Sequence, residues 1–334
     1  MKRLSTATAL ITIIFVLFIP FVVSSHVKWF TDVIPEKEMI ENIISPFFIV
    51  MTIIIAIILA ILPQMLPKLM EFEWSRKTDR KLEKYRPFTF PILRYGTGLA
   101  LIIQVVTGGL FAPELQYDML VVPILTWIAI ICLFIPHRYS TRTAAFIILC
   151  LFINKLFQYG VFHMLDYGFY LAIVFVLITG KTKYEQWGFP FLYLATGLSL
   201  CWVAVEKWVY PVMAVDVINH HGVPTFGFSP EIFVSLTAFI EFVVGYLLVV
   251  GILNRLLAFV LTGIFVMTTM LFGFVEIIGH FMIHIILITF IIEGVSFYKP
   301  PIKMHKTKVD QIIFVFLNFI FVLSTIMLIY YRFA

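Results

Sequence analysis

Cysteine and charge are what this chain has least of. Its three cysteines, Cys132, Cys150 and Cys201, all fall inside apolar runs and form no C-x-x-C pair, which argues against a thiol–disulfide redox centre. Charged residues make up only 13% of the 334 positions, and no polar stretch is long enough to form a soluble catalytic domain. The net charge of +5 calls for no nucleic-acid partner, because Lys and Arg gather in the loops of one side. What the chain has instead is apolar sequence, at 61% hydrophobic residues. A soluble core of this size cannot hide that much, so the sequence predicts an integral, multi-pass membrane protein with the lipid bilayer as its main partner.

Apolar runs recur at about 7–23, 47–66, 88–111, 120–136, 143–160, 165–180, 189–210, 231–252, 256–273, 274–294 and 311–331, each near the length a bilayer helix needs or somewhat short of it. They predict an all-α transmembrane bundle of about eleven helices. Prolines such as Pro63, Pro87, Pro113, Pro136, Pro211 and Pro230 sit at run ends, where they cost a helix least. Met1–Ser25 is either a cleaved signal peptide or a retained first helix. Cleavage after Ser25 would leave His26 as an N-terminal copper ligand, against the plainer reading of an ordinary loop. Lys68–Arg86 is the clearest cytoplasmic loop, and His137–Arg142, Lys181–Lys183, Asn254–Arg255 and Lys299–Lys308 fall on the same side. The loops between are poor in Lys and Arg, which predicts a plasma-membrane topology with those loops outside.

A weak internal repeat is visible. YGTGLAL at Tyr95–Leu101 matches YLATGLSL at Tyr193–Leu200, RTAAFI from Arg142 matches RLLAFV from Arg255, and a run ending at Gly180 matches one ending at Gly294. The spacing grows from 99 to 114 residues along these matches, as if the second copy had gained a loop at Met213–Glu231. The expected division is a signal peptide or first helix at 1–25, a helix and basic loop at 26–87, four-helix units at 88–183 and 184–296, and a last helix at 297–334.

The most informative stretch is Phe272–Gly294. It is long enough to span a bilayer, yet Glu276, His280 and His284 recur at steps of four, so they lie along one stripe, with His284 about 12 Å deeper than Glu276. Polar groups at such depth turn toward protein or a water-filled cavity. Lys207 and Glu241 have opposite sign and matching depth, which predicts an ion pair across the bundle. Glu206 lies about 100° around the helix from Lys207, so at most one of the two is expected to face squarely inward. In the first unit, Asp166 and Lys155 are expected to neutralise each other.

The second unit resembles the DoxX family of small four-helix membrane proteins. Lys207 near the end of the unit's first helix carries the likeness, with Glu241, Gly245, Gly251 and Arg255 in IEFVVGYLLVVGILNRLLAF at Ile240–Phe259, and His280 in the last helix. The first unit looks like a degraded copy, with Trp127 near the place of Glu241 and Asp166 and Tyr170 at the places of His280 and His284. The resemblance implies tandem four-helix bundles and membership of a membrane redox system, with redox partner proteins.

Three readings of the polar set follow. Glu276, His280, His284, Glu241, Lys207 and Glu206 form a quinone site or proton relay toward the extracytoplasmic side. Alternatively, His280 and His284, with Glu276, bind a transition metal, with His220, His221 and His26 as more remote candidates for a copper-type transporter. In the third, the polar groups only fix packing in a non-catalytic scaffold.

Overall fold

The computed structural model describes residues 27–70, 73–117, 119–294 and 307–334. The expected signal peptide or first helix at Met1–Ser25, and His26, lie outside the described residues. Helix α1 spans Pro46–Met70, and α2, Glu73–Glu83, is short and strongly polar. A 3-10 turn at Arg86–Phe88 leads into α3, Thr89–Val106. A small antiparallel hairpin follows, β1 at Gly109–Leu110 and β2 at Ala112–Gln116. Next come α4, Val121–Phe134, and α5, Arg138–Tyr159. A bent segment, Val161–Tyr167, turns by 60° into α6, Phe169–Thr179. A second 3-10 turn at Glu185–Trp187 leads into α7, Gly188–Val209. The remaining helices are α8 at Pro211–His221, α9 at Pro230–Val250, α10 at Asn254–Phe272, α11 at Phe274–Glu293 and α12 at Lys308–Phe333.

Among the described residues, eight helices are long and apolar enough to cross a membrane, and the bent pair would make a ninth. The run near 120–136 forms α4, which at 14 residues is shorter. This is the all-helical bundle expected from the hydrophobic runs, with two local differences. The end of the run expected as helix to 111, with the loop residues after it, forms the hairpin. The first part of the segment expected as an inserted loop at Met213–Glu231 is helical instead, as part of α8, which begins on Pro211 and ends at Gly222 in the left-handed conformation. Met213, Ala214, Val217 and Ile218 are buried at its helical spacing, so it folds down on the bundle as an amphipathic element.

The helices interlock across the chain. α3 packs on α11, α6 packs on α7, and α1 pairs with α12 beside α7. α7 and α9 make the most intimate pairing, crossing at two glycines. A Cβ on Gly197 would lie 2.5 Å from the Gly245 carbonyl oxygen, and one on Gly245 would lie 2.6 Å from that of Gly197. Small residues allow such backbone approach, the main source of packing where lipid removes most of the hydrophobic driving force. Buried threonines answer to their own helices. The hydroxyls of Thr97, Thr126 and Thr289 donate to the carbonyls four residues back, at 2.7, 2.8 and 2.7 Å, so these three reach the apolar interior already paired.

At the end of the bundle where α11 stops, its last carbonyls are met by cations. Arg255 Nε donates to Ile291 O at 2.7 Å and Arg86 donates to Glu293 O at 3.0 Å, while Arg255 also pairs with Asp79 of α2. Arg142 makes the same kind of bond to Ile178 O of α6 at 3.2 Å. Each of Arg142 and Arg255 reaches a carbonyl 36 residues ahead. Cations at helix C-termini satisfy orphan carbonyls and complement the helix dipole.

Replacing Gly197 or Gly245 with Leu is expected to separate α7 from α9 and to destabilise the protein by about 1–3 kcal/mol or more. The measurement is thermal unfolding in detergent. An unchanged midpoint would mean that the crossing is not held by this contact.

Candidate functional site

The far end of α7 presents Glu206 and Lys207 in succession, and both are buried. The expectation that only one would face inward fails for a simple reason. α7 is a central helix, flanked by α6, α9 and α12, so directions about 100° apart both meet protein. Lys207 Nζ lies 2.6 Å from Glu241 Oε1 on α9, the ion pair expected from matched depth. Glu206 Oε1 lies 2.8 Å from Lys28 Nζ, and the same ammonium lies 2.7 Å from Asp166 Oδ2 in the bent segment before α6. Asp166 therefore takes Lys28 as its partner, while Lys155 donates to the Gln116 carbonyl and to Gln158 Oε1. The expected Asp166–Lys155 neutralisation is replaced by these contacts, because the hairpin brings Gln116 to Lys155.

Burial alone would lower the pKa of the Lys28 ammonium, but Asp166 and Glu206 outweigh it and hold it above its ordinary value. A raised lysine pKa stabilises the fold throughout the range below the ordinary lysine value. That contribution fades only as pH climbs through the elevated one.

Lys28 belongs to a strap, Val27–Phe30, that enters the bundle beside α8 and β2. Its neighbour Trp29 lies directly on Gly279 of α11, where an added Cβ would come within 2.0 Å of the indole. The Trp29 ring centroid is 4.8 Å from that of His280, and Phe265 stacks on the same imidazole at 4.5 Å. Trp29 Nε1 donates to the Tyr167 hydroxyl at 3.1 Å, and Tyr167 bonds to Glu114. Glu276 is fully buried, with Oε1 3.0 Å from His280 Nδ1 one turn on.

Lys28, Trp29, Tyr167 and Glu114 were not among the candidates from sequence. A signal existed for the first: Lys28, with Lys37, stands in a stretch expected on the lysine-poor side, where a cation calls for a partner.

The histidines do not gather. Phe265 touches both His280 and His284, the latter edge-on at 6.1 Å. His220 is bound to Asp216 Oδ1 at 2.7 Å, and His221 packs against Phe30 and Phe272. Among the described residues, no three His, Cys, Asp or Glu side chains are placed to hold a metal ion.

Two spaces adjoin the paired charges. A cavity of about 30 Å³, large enough for a water, is lined by Asp166, Thr196, Ser199, Glu241 and His280 together with as many apolar residues, among them Phe169, Val203 and Phe265. A larger pocket of about 330 Å³ reaches Lys207 and Trp208 from between Asn42, Ser45 and Ser235. Glu241 thus lies between the two, bonded to Lys207 on one side and facing the cavity on the other.

A bundle of long apolar helices that buries its charges as matched pairs defines a polytopic integral membrane protein. Within it, the DoxX family model matches residues 192–274, running from α7 to the first residue of α11, so the chain contains a DoxX-like membrane segment. Lys207, Glu241, Gly245, Gly251 and Arg255 lie within the match, whereas Glu276, His280 and everything before residue 192 lie outside it. No curated protein and no solved structure matches the chain.

Lys207 and Glu241 side chains are 1% and 10% exposed, so each removes the other's need for water. Lys207→Ala or Glu241→Ala alone is expected to cost about 3–5 kcal/mol by stranding a buried charge, whereas the apolar double replacement costs much less. A double-mutant cycle on unfolding in detergent measures the difference. Additive effects would contradict a direct pair.

Proposed function

We propose that this protein is the membrane subunit of a redox system and that its buried polar core exchanges protons with a quinone. One observation carries the reading: the pocket of about 330 Å³ ends on Lys207, whose partner Glu241 also lines the small polar cavity shared with Asp166 and His280. The pocket size is that of small-molecule sites, and its lining is mixed, with Glu38, Asn42, Ser45, Lys207, Glu231 and Ser235 beside apolar residues such as Phe47, Trp208 and Val234. Among the described residues, two ammonium groups, Lys28 and Lys207, meet three carboxyl groups, Asp166, Glu206 and Glu241, so charge balance favours a proton held among them. The Glu276–His280 pair is a second place to hold one.

In this reading, electrons come from a redox partner protein and the chain supplies protons. Lys207 donates a hydrogen bond to a ring oxygen in the pocket. Glu241 passes a proton toward it, and Asp166 and His280 refill Glu241 across the cavity water. Quinone takes up two electrons and two protons to become quinol, and acid–base groups placed at each oxygen are what such a reaction asks of a protein. The site faces the extracytoplasmic side, since the Lys- and Arg-rich loops lie at the other end. The two four-helix units arise by duplication, a reading supported by the 36-residue reach shared by Arg142 and Arg255 and by the matching 3-10 turns before α3 and α7.

The test is quinone-linked electron transfer in native membranes, together with the quinone content of the purified protein. Lys207→Met, Glu241→Gln and His280→Phe should each lower turnover about a hundredfold, with the first also losing copurified quinone. Unchanged turnover and content in all three, with normal expression, would sink the redox reading and leave these groups as packing. Metal lost on changing His280 would favour the metal reading instead.

A further inference from the structure

A second space lies at the opposite end of α7, about 21 Å from Lys207 by helical rise. It is a pocket of about 370 Å³ between α6, α7 and the turn joining α9 to α10, walled by Phe175, Trp187, Phe191 and Leu194. Trp187, Phe191 and Leu194 are partly exposed, so on the bundle's outer surface the pocket opens sideways, the direction from which a membrane-dissolved molecule would enter. Its lining is almost wholly apolar except for Tyr193 and Asn254.

Those two polar groups are the unusual feature. Tyr193 and Asn254 are 4% and 2% exposed. The Tyr193 hydroxyl and the Asn254 amide adjoin each other, and neither finds any other hydrogen-bond partner in the protein. Buried polar groups of native proteins are nearly always paired, and an exception asks for an explanation such as a water, an ion or a ligand. The backbone holds them there. Leu253 adopts the left-handed conformation at φ 58°, a costly choice for a residue with a side chain, and so begins α10 with Asn254 turned inward. Tyr193 is fixed by stacking on Phe290 at 3.9 Å.

The first unit shows what the same corner looks like without such a space. The repeat spacing of 99 pairs Arg94 with Tyr193, and that of 113 at the arginines pairs Thr141 with Asn254. Arg94 and Thr141 line a cavity of only about 30 Å³, together with Arg138 and Lys181. Thr141 is bonded to its own helix at 3.1 Å. That corner is basic and closed, whereas the second is neutral and open.

We propose that the Tyr193–Asn254 pocket binds an uncharged amphiphile with a carbonyl-bearing head, its tail lying among Phe175, Phe191 and Leu194. The Asn254 amide and Tyr193 hydroxyl donate to the carbonyl oxygens, and the Asn254 oxygen accepts from a hydroxyl where the head carries one. Among the described residues no cation lines the pocket, so an anionic headgroup is disfavoured. The carbonyl could belong to a quinone ring or to a glycerolipid ester. The site is independent of the Lys207 pocket.

The experiment uses the full-length protein in detergent, with the fluorescence of Trp187 as reporter. A short-tailed benzoquinone should quench it saturably, and Trp187→Phe should remove that component while leaving any quenching of Trp208 beside the Lys207 pocket. Asn254→Leu should raise the half-saturation concentration about tenfold, and Leu194→Trp, which fills the partly exposed mouth, should abolish saturation. Competition by a short-chain diacylglycerol would assign the site to glycerolipids, and its failure to compete would assign it to quinones. If the quinone does not quench saturably, direct binding of the diacylglycerol is read as a rise in melting temperature that Leu194→Trp removes. Binding of neither probe, or binding unaltered in both Asn254→Leu and Leu194→Trp, would overturn the proposal. Because Asn254→Leu removes unpaired polar atoms, it should melt no lower than the parent without added ligand, which separates lost binding from lost folding.

Discussion

One ammonium group, Lys28, lies between two carboxyl groups drawn from distant parts of the chain, Asp166 and Glu206. Taking a charge out of water costs several kcal/mol per ion even after the surroundings relax, so none of the three is tolerable at this depth without the others. The contact pins the Val27–Phe30 strap into the bundle and ties the bent segment before α6 to the end of α7. Once the strap is in place, Trp29 closes over Gly279 and His280. The same constraint acts on Lys207 and Glu241. The end of the bundle that holds the candidate site is organised by this requirement that each buried charge meet its opposite.

The residues that carry the DoxX-like pattern divide by physical role. Gly245 lets α9 approach the backbone of α7, Gly251 closes α9 in the left-handed conformation, and Arg255 covers the last carbonyls of α11. These three keep helices at the right distance and end them in the right place. Lys207 and Glu241 are of a different kind, since they join a pocket to a polar cavity. A family pattern of this sort therefore marks a scaffold more securely than a reaction.

α7 connects the two ends of the molecule. At one end it carries Glu206 and Lys207 in a charged, internally matched environment. At the other it carries Tyr193 beside a neutral apolar space. Apolar wall and polar floor are the ordinary ingredients of a small-molecule site, and here the two spaces differ in whether the floor is ionic. A smaller cavity beside α3, α5 and α6 is lined instead by the cationic side chains of Arg94, Arg138 and Lys181, so these two corners of the bundle differ chiefly in their side chains.

Composition and hydrophobic runs were enough to fix the class of structure. A backbone in lipid must satisfy its own hydrogen bonds, so long apolar runs have one main outcome. The Lys207–Glu241 pair was also legible, because opposite charges at one depth in neighbouring helices have few other partners. What remained hidden depended on contacts far apart in the chain. The binding of Asp166 by Lys28 instead of Lys155 needed the strap to enter the bundle and the hairpin to deliver Gln116. The burial of both Glu206 and Lys207 needed α7 to be surrounded. Histidines at helical spacing suggested a shared metal, but Phe265 packs against both rings, which no spacing rule foresees. The sequence by itself determined that the chain is a membrane helix bundle and which residues have to be paired inside it, since burial cost depends on residue type. Only the tertiary structure decided which partner each one meets, because that depends on where helices pack and where the connecting segments fold back.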